Sequence, residues 1–220
     1  WCSYDLLLLS SGFEERSRFL LTRVPDAALS KCLVLGFPDD REKLSRSEND
    51  QAFEARGLRV VLASSEVEYQ EMLRQRLLAS VRPDGRLRIL VDYSVMTRSW
   101  YGYVLTWLTY SEVLRGAEVD FAYVHGRYHG EFEPLRIKDI AAIQGFEGAS
   151  AGARRTTAFY GLGYDKYATL TVHDLIEPDE VICFVASEGE GDERSLYVLE
   201  QNREVISFSK HKPVLVPLGN

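Results

Sequence analysis

The sequence predicts an α/β protein: a mostly parallel sheet with helices on both faces, followed by a second, partial βα module of similar pattern. Three observations predict it. Apolar runs of strand length alternate with longer segments of helical spacing from residue 4 to about 125, the rhythm of βαβ units with right-handed crossovers. Leu87–Val91 is a short, mostly apolar run that ends on Asp92 and leads through a hydroxyl-bearing turn into a long apolar segment. That is the profile of a buried strand delivering an acid to its tip, then a helix N-terminus. The rhythm stops after Val124 and restarts near residue 157 with similar residues.

Tyr4–Ser10, YDLLLLS, reads as the first strand, and Ser11-Gly12 closes it. Phe13–Val24 is the expected first helix, with acids in its first turn and Arg23 in its last, as the macrodipole favours. Pro25-Asp26 ends it. Cys32–Gly36 is the core of the second strand, and Asp40 is placed to cap a polar helix that runs to Arg56 and stops at Gly57. Val60–Ala63 is the third strand. Ser65 with Glu68 has the capping-box spacing, and Tyr69, Leu73, Leu77 and Val81 then line one helical face. Pro83-Asp84-Gly85 is a strong stop. After the strand Leu87–Val91, the helix Arg98–Arg115 is apolar and aromatic over most of its circumference, so burial on two sides is expected, against the sheet and a second module or another chain. Asp120–Val124 is the fifth strand.

Three segments follow from this reading: a βα domain over 1–125, a loop-rich linker over 126–156 with one short helical piece at Ile137–Ile143, and a partial βα module over 157–220. In the last, Gly163-Tyr164-Asp165 matches Gly12-Phe13-Glu14. A Pro-Asp pair and a strand with an internal cysteine follow each, and Asn202 stands where Asn49 does. An internal repeat is expected, with both strands and the intervening helix superposing. Similarity between two ordinary βαβ units is the competing explanation.

Hydrophobic residues at 45% and charged residues at 27% of 220 are ordinary for a globular domain. A net charge of −7 argues against a broad nucleic-acid or anionic-membrane surface, because phosphate neutralisation needs clustered Lys and Arg. No run approaches the roughly 20 apolar residues of a membrane span. The cysteines Cys2, Cys32 and Cys183 fit no zinc or redox spacing. Cys32 and Cys183 sit inside apolar runs, so buried structural thiols are expected there, and the composition suits a cytoplasmic setting. The lack of an initiator Met and the end after a strand-like run are what a piece of a longer chain would show.

Chemistry concentrates at two strand tips. Ser11-Gly12 with Glu14 and Arg16 sits at a strand-to-helix turn, where backbone N–H groups and a helix N-terminus favour an anion. The plainer account is that Gly12 ends the strand and the acids serve the helix dipole. Asp92, with Ser94, Thr97 and Arg98, offers a carboxylate and phosphate-type ligands at a helix start. Burial would raise the pKa of Asp92, unless Arg98 or Arg16 pairs with it. The plainer account is an N-cap and a turn former. His125-Gly126-Arg127-Tyr128-His129 makes a poor metal site, since its glycines break the helix that would align the histidines. Tyr128 is instead a candidate to stack a ligand's ring at a pocket rim.

Neither G-x-G-x-x-G nor a P-loop, H-E-x-x-H or C-x-x-C is present. The pattern of strands and helices over residues 4 to about 125 resembles Rossmann-like nucleotide-binding domains, a resemblance of topology that bears on fold. It implies a crevice beyond the first and fourth strands. The expected function is binding of a nucleotide-like small molecule. Glu14 and Asp92 are the candidate catalytic groups for cleaving an N-glycosidic or phosphate-linked bond, and Ser11, Gly12, Arg16, Ser94, Thr97, Arg98 and Tyr128 are the candidate ligand-binding residues. No metal and no cofactor are expected. The alternatives are a sensor that binds a nucleotide without turnover, or a scaffold that uses helix 98–115 to meet a protein partner or a second copy.

Overall fold

The computed structural model describes residues 1, 3–114, 116–126, 140–148, 155–189 and 191–218, with every side chain among them except that of Val113. These residues form two compact units, one running from the N-terminus to Gly126 and including Ala142–Gly148, the other built on the residues from 155 onwards.

The first unit holds a five-stranded parallel sheet of β1 (Leu6–Ser11), β2 (Cys32–Gly36), β3 (Val60–Leu62), β4 (Arg88–Asp92) and β5 (Glu118–Ala122), in the order β3-β2-β1-β4-β5. Leu8 of β1 stands opposite Leu33 of β2 on one side and Val91 of β4 on the other. All six residues of the central strand β1 are buried, which is why LLLLSS does not alternate. Leu6, Leu8, Ile89 and Val91 pack under the helices α2 (Glu66–Ser80) and α3 (Arg98–Tyr110). Leu9 and Val34 face the other way, onto Leu21 and onto Phe53 of helix α1 (Arg46–Ala55), while Leu7 and Leu90 meet Val24 and Ala28. The chain leaves β1 toward β2 and β3, then returns to the other side of β1 for β4. That reversal makes the β1/β4 boundary the switch point.

The helix expected over Phe13–Val24 does not form. Three short 3-10 turns, Glu15–Arg18, Leu21–Arg23 and Asp26–Lys31, take its place. The reason is that one side chain is drawn back onto the end of β1 and a distant arginine takes carbonyls of the segment itself. The Ser17 hydroxyl donates to Ser10 O at 2.6 Å and accepts from Gly12 N at 3.1 Å. Arg56 donates to Leu21 O and Val24 O, at 2.7 and 2.9 Å. Asp40 does not cap α1. Asp40 and Leu44 lie in the left-handed region, at φ 56° and 49°, and the helix starts only at Arg46. Gly57, at φ 73°, ends it as expected. Ser65 caps α2 as its spacing predicts, accepting from Glu68 N, while the Glu68 carboxylate accepts from the preceding Ser64 N at 2.8 Å.

Helix α3 ends at Tyr110, earlier than expected, and a 3-10 turn at Glu112–Leu114 follows. One side of it is buried, with Trp100 6% exposed and Val104 fully covered. Against the other lies the chain's own segment Ala142–Gly148. A Cβ on Gly102 would come within 3.1 Å of Ile143, and one on Gly145 within 2.8 Å of Thr106. Of the short helix expected at Ile137–Ile143, the described part from Ile140 onwards is not helical.

The second unit is a three-stranded parallel sheet of β6 (Thr157–Leu162), β7 (Glu180–Ser187) and β8 (Val214–Pro217), in chain order, with helices α4 (Lys166–Ile176), α5 (Glu193–Gln201) and α6 (Arg203–Ser207). Its core joins Tyr160, Leu162, Val181 and Cys183 to Leu170, Val198 and Val205. Between its first two strands runs a regular helix, where the first unit has 3-10 turns, so the intervening helix of the expected repeat has no counterpart in the first unit. Asp165 explains the contrast, since its side chain accepts from Tyr167 N and Ala168 N, whereas Glu14 caps nothing. No described helix is long and apolar enough to cross a membrane.

Candidate functional site

At the end of β1 the chain turns through Gly12 against the turn that follows β4. A Cβ on Gly12 would lie 2.8 Å from Cβ of Val95. The two tips are therefore in contact, and only glycine allows the approach. Beneath the turn, Asn49 of α1 donates through Nδ2 to Gly12 O and Glu14 O, both at 2.9 Å. Asn49 is fully buried and its Oδ1 has no partner among the described residues. The second unit repeats the device: Asn202 Nδ2 donates to Gly163 O at 2.8 Å, and its buried Oδ1 is likewise unpartnered.

Asp92 ends β4 and is 2% exposed. Its Oδ1 accepts from the Ser94 amide at 3.1 Å and from the Ser94 hydroxyl. That hydroxyl in turn accepts from Val124 N at 2.8 Å. Val124 O accepts from Arg16 Nη1 at 2.8 Å, and Arg16 Nη2 pairs with Glu14 Oε1 at 2.8 Å. One chain of polar contacts thus runs from Asp92 through Ser94, Val124 and Arg16 to Glu14. Arg16 also lies over the Tyr123 ring, 5.1 Å from its centroid, and its buried Nε has no partner among the described residues. Gly126 passes beside the ion pair, where a Cβ would sit 3.3 Å from Glu14 Oε2.

The electrostatics at Asp92 follow from this packing. Burial pushes its carboxyl above the ordinary carboxylate range, while the Ser94 hydrogen bonds and the Arg16 charge pull it back. Among the described residues no cation pairs directly with Asp92. A buried carboxyl with a raised pKa, held through one oxygen by Ser94, is equipped to exchange a proton or to stabilise positive charge.

The remaining expected residues are dispersed. Ser11 is buried and donates to Asp50 Oδ1 at 2.6 Å, so its hydroxyl is committed to the β2 side of the turn. Thr97 is the N-cap of α3, accepting from Trp100 N. Arg98 is exposed and makes no hydrogen bond or ion pair among the described residues. Tyr128 lies outside the described residues, as do Arg127 and His129. Cys32 and Cys183 are free thiols, and burial pushes Cys32 up to about 11. Among the described residues no cluster of His, Cys, Asp or Glu could hold a metal ion.

Sequence reading missed the polar residues under the turn. Asp50 accepts from Ser11, from Arg46 Nε at 2.9 Å and from Arg41 Nη2 at 2.9 Å. Burial alone would raise its pKa, but these donors outweigh burial and hold it low. The i,i+4 spacing of Arg46 and Asp50 was the only available signal, and nothing local distinguishes that pair from a solvated one. Comparison with known proteins finds no matching family model, no matching curated sequence and no matching solved structure, so the residues themselves carry the functional argument.

Proposed function

We propose that the tips of β1 and β4 bind a nucleotide-like ligand. In this reading Arg16 holds an anionic group, and Asp92, with Glu14 nearby, acts on an N-glycosidic or phosphate-linked bond. The observation that supports it most is Asp92 itself. It is 2% exposed, has a raised pKa and is fixed through one oxygen by Ser94. It is coupled through Val124 to a guanidinium whose Nε is unpartnered among the described residues. Buried groups of this kind at a switch point are what a ligand with hydroxyl and phosphate groups would satisfy. Arg98 adds an exposed cation at the start of α3, without a hydrogen bond or ion pair among the described residues.

The test is thermal shift with nucleosides and their mono- and diphosphates, on wild type, Asp92→Asn and Arg16→Ala. A ligand at a hundred times its Kd stabilises the native state by about 2.7 kcal/mol, so a specific nucleotide raises Tm in a dose-dependent way. Arg16→Ala abolishes the shift. Asp92→Asn keeps the fold and stops product formation. Unchanged binding and turnover in both variants, with the fold intact, defeats the proposal.

One observation favours a sensor over an enzyme. Trp100 of α3 is stacked between Phe37, just after β2, and Tyr69 of α2, at 4.7 and 4.9 Å. Ligand at the tips would bear on three elements at once. Binding with no product after prolonged incubation selects this reading. The matched Asn49–Gly12 and Asn202–Gly163 ties support a second reading at the level of organisation, that the two units derive from one βα pattern, although the segment between their first two strands is 3-10 turns in one and a regular helix in the other.

A further inference from the structure

On the β2 side of the β1 turn, away from Arg16, stands a second cation. Arg41 belongs to the loop 37–45 between β2 and α1. Its Nε and Nη2 donate to Asp50 Oδ2 at 3.3 and 2.9 Å, yet its side chain is 48% exposed. Asp50 does not depend on it for neutralisation. The Arg46 side chain, fully buried, already pairs with Oδ1 at 2.9 Å, and Ser11 donates to the same oxygen. Two guanidinium groups thus share one carboxylate, and the charge of Arg41 is the surplus one.

The loop that carries Arg41 is strained and lies beside the β1 turn. Asp40 and Leu44, which bracket it, are both in the left-handed region, and such strain in non-glycine residues gathers at binding and switching segments. Leu44 is 80% exposed, so no apolar burial offsets its conformation. The loop is tied to the β1 turn: Ser45 N donates to Phe13 O at 3.1 Å, and the Phe13 and Phe37 rings are 5.3 Å apart. The turn is therefore flanked by a cation on each side, Arg16 toward β5 and Arg41 toward β2.

We propose that Arg41 is a second anion-binding residue of this site, leaving Asp50 to Arg46 when ligand arrives. The ligand class is then a nucleotide with two phosphates set apart by at least a sugar, rather than a nucleoside monophosphate. This rests on the nucleotide reading above. The guanidinium fork that now grips Asp50 through two nitrogens suits a phosphate in the same way.

The experiment compares adenosine 5′-monophosphate with adenosine 3′,5′-bisphosphate, and the guanosine pair likewise, by isothermal titration on wild type, Arg41→Ala, Arg41→Lys and Arg16→Ala. Wild type should bind one of the bisphosphates at least tenfold more tightly than its monophosphate. Arg41→Ala should erase that advantage and leave monophosphate affinity within twofold. Arg41→Lys should recover part of it, and Arg16→Ala should weaken both ligands. Equal affinity for the two ligands of each pair in wild type overturns the proposal, as does an advantage that survives Arg41→Ala in a variant with wild-type Tm. If no nucleotide of either pair binds wild type, the nucleotide reading itself fails and this proposal falls with it.

Discussion

Replacing Asp50 by alanine probes the network on which the β1 tip rests. The Asp50 side chain is 6% exposed and that of its partner Arg46 is fully buried. Removing one member of such a pair strands the other charge, at about 3–5 kcal/mol. The buried Ser11 hydroxyl loses its acceptor as well, worth about 1–3 kcal/mol taken alone. These losses share one carboxylate and do not add in full. The expected loss is about 4 kcal/mol, a large part of the roughly 5–15 kcal/mol that holds a native domain. Asp50→Asn keeps an acceptor for Ser11 and Arg46 and should lose about half as much. Arg46→Met combined with Asp50→Leu should lose less than the sum of the single changes, because no buried charge remains. Urea titration followed by tryptophan fluorescence is the assay. All three tryptophans, Trp1, Trp100 and Trp107, lie in the first unit, so the signal reports that unit alone. A loss below about 1 kcal/mol for Asp50→Ala, at unchanged m-value, would mean that the pair is solvated and that the reasoning fails.

Three further outcomes are expected. Gly12→Ala drives a methyl to 2.8 Å from Val95 and should destabilise by about 1–3 kcal/mol, with Val95→Ala in the same chain restoring much of it; an unaffected Tm in Gly12→Ala would show that the tips are not in contact. Asn49→Ala leaves the Gly12 carbonyl without its donor and the Glu14 carbonyl with Ser17 N alone and should cost about 1–3 kcal/mol by chemical denaturation, whereas a loss of a few tenths would make the tie incidental. The raised pKa of Asp92 means that the native state holds its proton longer than the unfolded chain, so this group's contribution to stability falls as pH rises from the ordinary carboxylate value through its folded value. Asp50, held low, contributes in the opposite sense, with stability lost as pH falls through its folded value. Tm measured from pH 4 to 8 should therefore show Asp92→Asn gaining on wild type as pH rises, and a constant difference would contradict a buried carboxyl.

The central strands β1, β2 and β4 were legible because each is a short, mostly apolar run whose burial depends on composition more than on partners. Cys32–Gly36 and the Ser65 cap lie where their residues alone place them. Phe13–Val24 was misread for the opposite reason. Its carbonyls at Leu21 and Val24 are claimed by Arg56, from 35 and 32 residues away, while the Ser17 side chain turns back onto Ser10 O and Gly12 N at the end of β1. The candidate site divides along the same line. Asp92 with Ser94 is a local motif two residues long, visible in the chain. The bond from Arg16 to Val124 spans 108 residues and has no local signature.

What the sequence by itself determined is the succession of parallel strands and the acid at the end of the fourth, since hydrophobic period and turn chemistry act over a few residues. What only the tertiary structure decided is which polar side chains meet. Strand order brings the tips of β1 and β4 into contact at Gly12 and Val95 and assigns Ser11 to Asp50. It links Arg16 through Val124 to Ser94 and Asp92, and it leaves Arg98 exposed. A buried polar group accepts whichever partner the packing brings within reach, and that choice is made by the whole fold rather than by neighbours in the chain.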